Sequence, residues 1–279
     1  MEILLDCVPC MLNQALKGAR LATSDVASQE AIVQEAIRVL GDYKAYETSP
    51  ELARAIHQII KCKTGLTDPY EQVKANDLEA AKGVYGSLKD FLKEVDTPIY
   101  WALKIAATGN NIDAAIYEHV DINACIKTEL RKEFSINDVE IFQKQLVKAK
   151  KILIIGDNTG ETIFDKVLME SMPHIDFIYA VRDEAIINDV TMKDALMSGL
   201  DQVATLISSG CNAPGLILKE CTPEFLEVYH EADIVISKGQ GNYEALSEEK
   251  NLFFLLKAKC PMIARRLNVH LHDYVLKYS

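Results

Sequence analysis

The sequence predicts an α/β protein, in which an N-terminal helical bundle domain precedes a Rossmann-like three-layer domain with a mostly parallel sheet. Before about residue 110, apolar residues recur at three- and four-residue spacing, which is typical of amphipathic helices. After about residue 135, short apolar runs rich in branched residues alternate with helical segments, which is typical of parallel strands covered on both faces. We therefore predict a helical domain over residues 1–135 and a Rossmann-like domain over residues 136–279.

Four helices are predicted in the first half from apolar stripes and from proline-containing start signals. Ile32, Ala36 and Leu40 mark one such stripe. Ser49 precedes a proline, so we predict that it caps a helix whose first turn contains that proline. The predicted helices cover 27–40, the residues from Ser49 onward, 70–95 and the residues from Thr97-Pro98 onward.

Five apolar runs are candidates for strands in the second half. Four of them are short and rich in branched residues, which favours strands over helices. The fifth, over 252–256, is compatible with either a strand or a helix. The four predicted strands cover 151–155, 177–181, 203–207 and 233–236.

Composition and charge exclude several classes of protein. The chain has 279 residues and a formal net charge of −11, which disfavours nucleic acid as a partner. No apolar run reaches the roughly 20 residues needed to span a bilayer, and the acidic first residues do not resemble a signal peptide. Seven cysteines, an odd number, do not suggest a secreted disulfide framework. We expect a soluble cytoplasmic protein and leave its oligomeric state open.

The loop after the first predicted strand carries candidate metal ligands. Asp157 and Asn158 would lie at the carboxyl end of that strand, where ligands bind in open parallel sheets. Their carboxylate and amide oxygens are hard donors suited to Mg²⁺ or Mn²⁺. Gly156 and Gly160 permit a tight turn before the next helix. An ordinary turn with a helix cap explains the same residues equally well.

The loop after the second predicted strand adds a cation and another carboxylate. Asp189 could supply a second carboxylate to a metal ion held by Asp157, and Arg182 could bind a phosphate. The alternative is that Asp189 or Thr191 simply caps a helix over 192–197.

The loops after the third and fourth strands are polar and rich in glycine. Residues 208–215 could form an anion-binding nest, although an ordinary loop has the same composition. Lys238 lies directly at a predicted strand end, with two glycines and Asn242 close behind it, which suits a phosphate contact. Four polar loops at one edge of a sheet are more specific together than any one alone.

These segments resemble, in order along the chain, the signature segments of the damage-control phosphatases. That family was formerly a domain of unknown function and is also called the acidic-residue-methyltransferase-like metal-binding domain. The resemblance covers essentially the whole chain and is closest to the compact prokaryotic branch, which has a CxxC pair like Cys7 and Cys10. The segments that carry it are Gly156–Glu161, Ile187–Thr191, Asn212–Gly215 and Ser237–Glu244.

The resemblance implies a phosphatase that uses a divalent metal ion, Mn²⁺, Co²⁺, Ni²⁺ or Mg²⁺, to activate water. Its partner would be a small phosphorylated metabolite, such as a sugar phosphate or a damaged phosphometabolite. The residues that match the family's metal ligands, and that we predict to be catalytic, are Asp157, Asn158 and Asp189. The residues that we predict to bind substrate are Glu161, Arg182, Lys238, Asn242 and Lys257. The eukaryotic branch has an N-terminal Arg pair and a C-terminal basic motif that have no clear match here, so the resemblance identifies no substrate.

Other polar residues have competing explanations. Asn110, Asn111 and Asp113 resemble a family segment that faces the cleft between domains, or they cap a helix. Cys7 and Cys10 could be a redox pair, half of a metal site or structural thiols.

Three rival functions are compatible with such a sheet. A haloacid-dehalogenase-type phosphatase requires Asp-x-Asp after the first strand, and Thr159 occupies the third position here. A carboxyl methyltransferase is disfavoured because there is no G-x-G-x-x-G turn. A non-catalytic protein that binds a metal ion or a metabolite remains open.

Overall fold

The computed structural model describes residues 1–109 and 128–279. The first three helices pack on one another around a core of buried residues that includes Ala15, Ile32 and Ile56. The helices of the first half are α1 (Cys7–Ala22), α2 (Val26–Gly41), α3 (Ser49–Thr64), α4 (Glu71–Lys93) and α5 (Pro98–Thr108).

The helix start signals of the first half are confirmed, with one correction. Thr97 precedes α5, and Pro98 is its first residue. The prediction that Ser49 caps this helix is wrong, because Ser49 is already the first residue of α3. Thr48 is the cap, since its side chain accepts a hydrogen bond from the backbone N–H of Glu51.

A mostly parallel sheet forms the centre of the second half, as predicted, and it has seven strands. Its strand order is β1-β7-β6-β5-β2-β3-β4, and β1 and β7 run opposite to the other five strands. The strands are β1 (Phe134–Asn137), β2 (Lys151–Ile155), β3 (Asp176–Val181), β4 (Thr205–Ser208), β5 (Ile234–Lys238), β6 (Phe253–Lys257) and β7 (Tyr274–Tyr278).

Helices cover both faces of this sheet and make three layers. Along β2, Ile152 and Ile154 belong to one core, whereas Leu153 and Ile155 belong to the core on the opposite face. The helices of the second half are α6 (Val139–Leu146), α7 (Thr162–Glu170), α8 (Met192–Met197), α9 (Pro223–Glu231), α10 (Gly239–Leu246) and α11 (Pro261–Leu267). The division of the chain at residues 135 and 136 stays a prediction.

The strand assignments differ from the sequence prediction in several places, including β5, which ends at Lys238 rather than at residue 236. The ambiguous run over 252–256 is strand β6, and β4 begins at Thr205 rather than at residue 203. The edge strand β1 and its neighbour β7 were not predicted. Polar residues interrupt both strands, so neither shows the continuous apolar run of β2.

Helices from the first half also close the carboxyl edge of the sheet. Helix α4 packs on α7 and on the turn over Thr159–Glu161, and α5 packs on α7. Within the part of the chain that the structure describes, no helix combines the length and the apolar character needed to cross a bilayer.

Candidate active site at the carboxyl edge of the sheet

The loops after β2 and β3 are bound directly to each other. Asn158 and Asp189 form an isolated antiparallel bridge, and the backbone N–H of Val190 donates to the carbonyl oxygen of Asp157 at 2.8 Å. Gly156 permits this approach, because a Cβ there would lie 2.7 Å from the Tyr179 ring. The fold therefore brings Asp157, Asn158 and Asp189 together from two separate loops.

The Asp157 carboxylate is buried against the loop after β5. Gly239 has a φ of +77°, and a Cβ at this position would overlap with the Asp157 carboxylate. Only glycine combines this backbone conformation with such a close approach. On the other side, Asn158 Nδ2 donates to Asp157 Oδ2 at 3.3 Å and to Glu161 Oε1 at 2.9 Å.

Arg182 is buried and joins two of the predicted site residues. Its Nε donates to Asp189 Oδ2 at 2.8 Å, and its Nη2 donates to Asn242 Oδ1 at 2.8 Å. The capping alternative holds for Thr191, which caps α8 in a capping box with Asp194. It does not hold for Asp189, whose carboxylate is paired with Arg182.

Lys238 is fully buried between two carboxylates. Its Nζ lies 2.8 Å from Glu161 Oε2 and 2.7 Å from Asp165 Oδ1, and Tyr179 donates its hydroxyl to Asp165 Oδ2. A side chain enclosed in this way has no surface to offer to a phosphate. Lys238 therefore holds the carboxylates in position, and the prediction that it contacts phosphate directly is wrong.

Asn242, near the start of α10, cross-links the loops of the site. Its Nδ2 donates to the carbonyl oxygens of Gly156 and Lys238, at 3.0 and 2.7 Å. Its Oδ1 accepts from the backbone N–H of Leu216, which follows the third loop. Because Asn242 is completely buried, these contacts fix the relative positions of the loops after β2, β4 and β5.

Lys257, at the end of β6, lies in a second group of polar residues. Its Nζ is 3.0 Å from Glu129 Oε2 and 5.2 Å from the centre of the Tyr274 ring. The Tyr274 hydroxyl donates to the same carboxylate oxygen at 2.6 Å. Asn110, Asn111 and Asp113 lie outside the described residues.

Asp165 belongs to the carboxylate cluster but was not predicted from the sequence. It is completely buried on α7, one helical turn after Glu161, and both carboxylates contact Lys238. A carboxylate four residues after a candidate site residue, on the same helix face as buried apolar residues, was the signal that could have identified it.

Burial and repulsion between neighbouring carboxylates raise the pKa values of three members of this cluster, Asp157, Asp165 and Asp189. Burial raises the pKa of Asp157 well above its usual range, and two neighbouring carboxylates raise it further. Burial raises the pKa of Asp189 to about 6 against the opposing effect of Arg182. It raises the pKa of Asp165 to about 6 against the opposing effect of Lys238. The two cations of the cluster therefore do not fully stabilise the ionised form of these carboxylates.

The donor atoms and the charge balance of the cluster fit a divalent cation. Among the described residues, no three His, Cys, Asp or Glu side chains form a metal-binding group, so a three-ligand set needs the Asn158 amide oxygen. The structure directs the Asn158 amide nitrogen at Asp157 and Glu161, so the amide must turn over to present its oxygen to an ion beside them. Ionised carboxylates would exceed the cations by two charges. The buried carboxylates of this cluster are Asp157, Glu161, Asp165 and Asp189, and its buried cations are Arg182 and Lys238.

Known proteins resemble this chain in sequence, and a solved structure resembles it in fold. A damage-control phosphatase of Pyrococcus horikoshii is 33% identical over 96% of this chain and 95% of its own length. A damage-control phosphatase of Archaeoglobus fulgidus is 31% identical over 97% of each chain. The crystal structure of a DUF89 family protein from Pyrococcus horikoshii superposes with a TM-score of 0.90 at 30% identity, covering 100% of this chain and 99% of that one.

The match to a family model spans nearly the whole chain. The model of the damage-control phosphatase ARMT1-like domain matches residues 3–275, which include all four loops at the carboxyl edge of the sheet. Together with the relatives above, this match shows that the chain belongs to the damage-control phosphatase ARMT1-like domain family.

Proposed function

We propose that this protein is a metal-dependent phosphatase that hydrolyses small phosphate monoesters, such as sugar phosphates or damaged phosphometabolites. The observation that carries the proposal is the bridge between the loops of Asn158 and Asp189, which gathers three oxygen-bearing side chains beside an excess of buried carboxylates. Membership of a family whose relatives include named damage-control phosphatases supports the phosphatase reaction.

The metal ligands in this proposal are Asp157, Asn158 and Asp189, and the ion is Mn²⁺, Co²⁺, Ni²⁺ or Mg²⁺. When bound, such an ion supplies Lewis-acid polarisation of the phosphoryl oxygens and makes water a stronger nucleophile near neutral pH. Three protein oxygens leave about three positions of an octahedral site for water and phosphate.

The remaining residues position the ligands and bind the phosphate. Arg182 orients the Asp189 carboxylate through a 2.8 Å contact, and Lys238 fixes Glu161 next to Asn158. We assign the phosphate contact to Lys257, which lies at the end of β6, the strand next to β5. In a chain of net charge −11, attraction of a phosphate depends on such a local cation, since the overall field repels anions.

Replacing Asp157 by alanine tests the proposal. We expect Asp157→Ala to lower metal-dependent turnover of sugar phosphates by more than about 100-fold, because loss of a ligand exceeds the usual effect of losing an outer contact. Turnover would be measured with each of the four metal ions, and circular dichroism would check the fold. Asp183→Ala is the matched control, since Asp183 is an exposed carboxylate at the same edge of the sheet, and we expect it to leave turnover unchanged.

The rival functions give different results in the same samples. Equal turnover by Asp157→Ala and the wild type would remove Asp157 from the mechanism. Metal binding by the wild type without turnover of any phosphate ester would favour a non-catalytic binding protein. Methyl transfer to a carboxylate, without phosphatase activity, would favour a methyltransferase.

A further inference from the structure

Two neighbouring cysteines and a third from the far end of the sequence line one cavity, whose wall includes none of the predicted site residues. The cavity has a volume of about 200 Å³, and Cys7, Cys10 and Cys260 all contribute to its wall. Its lining also includes Ile187, Pro214 and Gly241, which come from the three segments after β3, β4 and β5. The phosphatase mechanism uses none of these thiols.

Cys7 and Cys10 have the backbone spacing of a redox-active pair. Cys7 is the first residue of α1, and Cys10 follows three residues later in the same turn. Residues three apart on a helix have Cβ atoms about 5–6 Å apart, and a disulfide needs Cβ atoms about 3.5–4.5 Å apart. The first helical turn must therefore bring the two Cβ atoms about 1–2 Å closer before the two sulfurs can bond.

The two thiols differ in their accessibility to solvent, so they would have different roles in a reaction. Cys10 is exposed, and its Sγ lies 3.9 Å from Gln14 Nε2. Cys7 is only partly accessible, with its Sγ 3.9 Å from the buried Ser49 hydroxyl. Although Cys10 is exposed, partial burial of its sulfur raises the pKa of its thiol. More of the reactive thiolate therefore forms as the pH rises, and its exchange reactions accelerate.

We propose that Cys7 and Cys10 form a thiol–disulfide exchange site that takes low-molecular-weight disulfides as its substrates. The Cys10 thiolate attacks one sulfur of the small disulfide, forms a mixed disulfide and releases one small thiolate. The Cys7 thiolate then attacks the Cys10 sulfur, forms the Cys7–Cys10 disulfide and releases the second small thiolate. Two protein thiols are oxidised, one disulfide is reduced to two thiols, and the two protons lost by the cysteines pass to the released thiolates.

Glutathione disulfide is the probe for this reaction, and peptide mass spectrometry of the alkylated, trypsin-digested chain is the readout. Cys7 and Cys10 lie in one tryptic peptide that ends at Lys17, so their disulfide makes that peptide two hydrogens lighter and resistant to alkylation. We expect this product in the wild type, with faster formation at pH 9 than at pH 7. In Cys7→Ser, we expect a lasting glutathione adduct on Cys10.

Cys62 provides the matched control. It is also exposed on a helix with a glutamine amide nearby, Gln58 Nε2 at 3.6 Å. No other cysteine among the described residues lines the cavity beside it, so we expect its glutathione adduct to persist. Cys62→Ser should leave the Cys7–Cys10 product unchanged.

Two results would overturn the proposal. One is an adduct on Cys10 of the wild type that persists as long as the adduct on Cys62. The other is a Cys10–Cys260 disulfide in place of the Cys7–Cys10 disulfide. If circular dichroism shows that Cys7→Ser is unfolded, Cys7→Ala serves as the trapping variant, because it introduces no polar group.

Discussion

Two buried lysines occupy opposite environments. One lies in the carboxylate cluster, and the other lies against the aromatic rings of Phe134 and Tyr274. Lys238 and Lys104 are both completely inaccessible to solvent. Lys238 Nζ contacts two carboxylates, whereas Lys104 Nζ has no hydrogen-bonding partner among the described residues. Instead, Lys104 Nζ lies 3.1 Å from the centre of the Tyr274 ring and 4.9 Å from that of Phe134.

The comparison separates the effect of burial from the effect of partners. Burial lowers the pKa of Lys238, but its carboxylate partners raise it above the ordinary value. Burial lowers the pKa of Lys104 to about 7, and the more distant Glu129 opposes this only in part. The carboxylate cluster therefore requires a charged lysine, whereas the aromatic pocket disfavours one.

The largest effect that we expect comes from removing the lysine of the carboxylate cluster. Lys238→Met would leave Glu161 and Asp165 buried without their cation, and breaking a buried ion pair destabilises a protein by about 3–5 kcal/mol. Urea denaturation at pH 7 measures the change. Lys104→Met is the control with the same substitution, and we expect it to be neutral or stabilising. Equal destabilisation by both variants would contradict the comparison.

The pH dependence of stability is the second way to sharpen the comparison. The pKa of Lys104 is about 7 in the folded protein, below its ordinary value of 10.5, so the unfolded chain binds more protons between these values. The wild type should therefore become more stable relative to Lys104→Met by about 2 kcal/mol from pH 7 to pH 9. Parallel urea titrations would measure this difference, and a constant difference would show that Lys104 does not titrate in this range.

A buried histidine extends the comparison to the helical region. His57 on α3 has no partner for its Nε2 among the described residues, and burial lowers its pKa from 6.5 to about 4. The unfolded chain binds the proton first, so stability is full above pH 6.5 and falls as the pH drops towards 4. From pH 7 to pH 5.5, the wild type should lose about 1 kcal/mol more than His57→Met. Equal losses in urea titrations would contradict this.

The smallest effect is expected at an exposed ion pair. Lys193 Nζ lies 2.5 Å from Glu71 Oε1, and both side chains are about two-thirds exposed. Exposed pairs contribute little because water and salt screen them. Lys193→Ala should leave the urea midpoint of the wild type unchanged, and a shift as large as that of Lys238→Met would show that burial does not govern these pairs.

Much of the fold could be predicted because its signals are local. The strand over Lys151–Ile155 was predicted with its observed ends, since a continuous apolar run is typical of a strand covered on both faces. The start of α5 after Thr97 was predicted from a proline signal. Strand β7, which lies between β1 and β6, was missed because Lys277 interrupts its apolar run and because its antiparallel pairing with β6 lies in the tertiary structure.

Most residues of the candidate site could be predicted from the sequence, but the contacts between them could not. The sequence placed Asp157 and Asp189 after neighbouring strands, and the loops that carry them do meet. The sequence predicted Lys238 and Arg182 as cations at the edge of the sheet. It could not show that both are already paired with buried carboxylates. Asp165 was missed because its role depends on packing of α7 over the end of β5.

The sequence by itself determined the alternation of helices and strands, the polar loops at one edge of the sheet and the family resemblance, because periodicity and short motifs lie in neighbouring residues. Only the tertiary structure decided which charges are paired and which thiols share a cavity. Those properties depend on distances between residues far apart in the chain and on the exclusion of water around them. Burial changes the free energy of a charge by several kcal/mol, and the same lysine side chain is stabilised in one place and disfavoured in another.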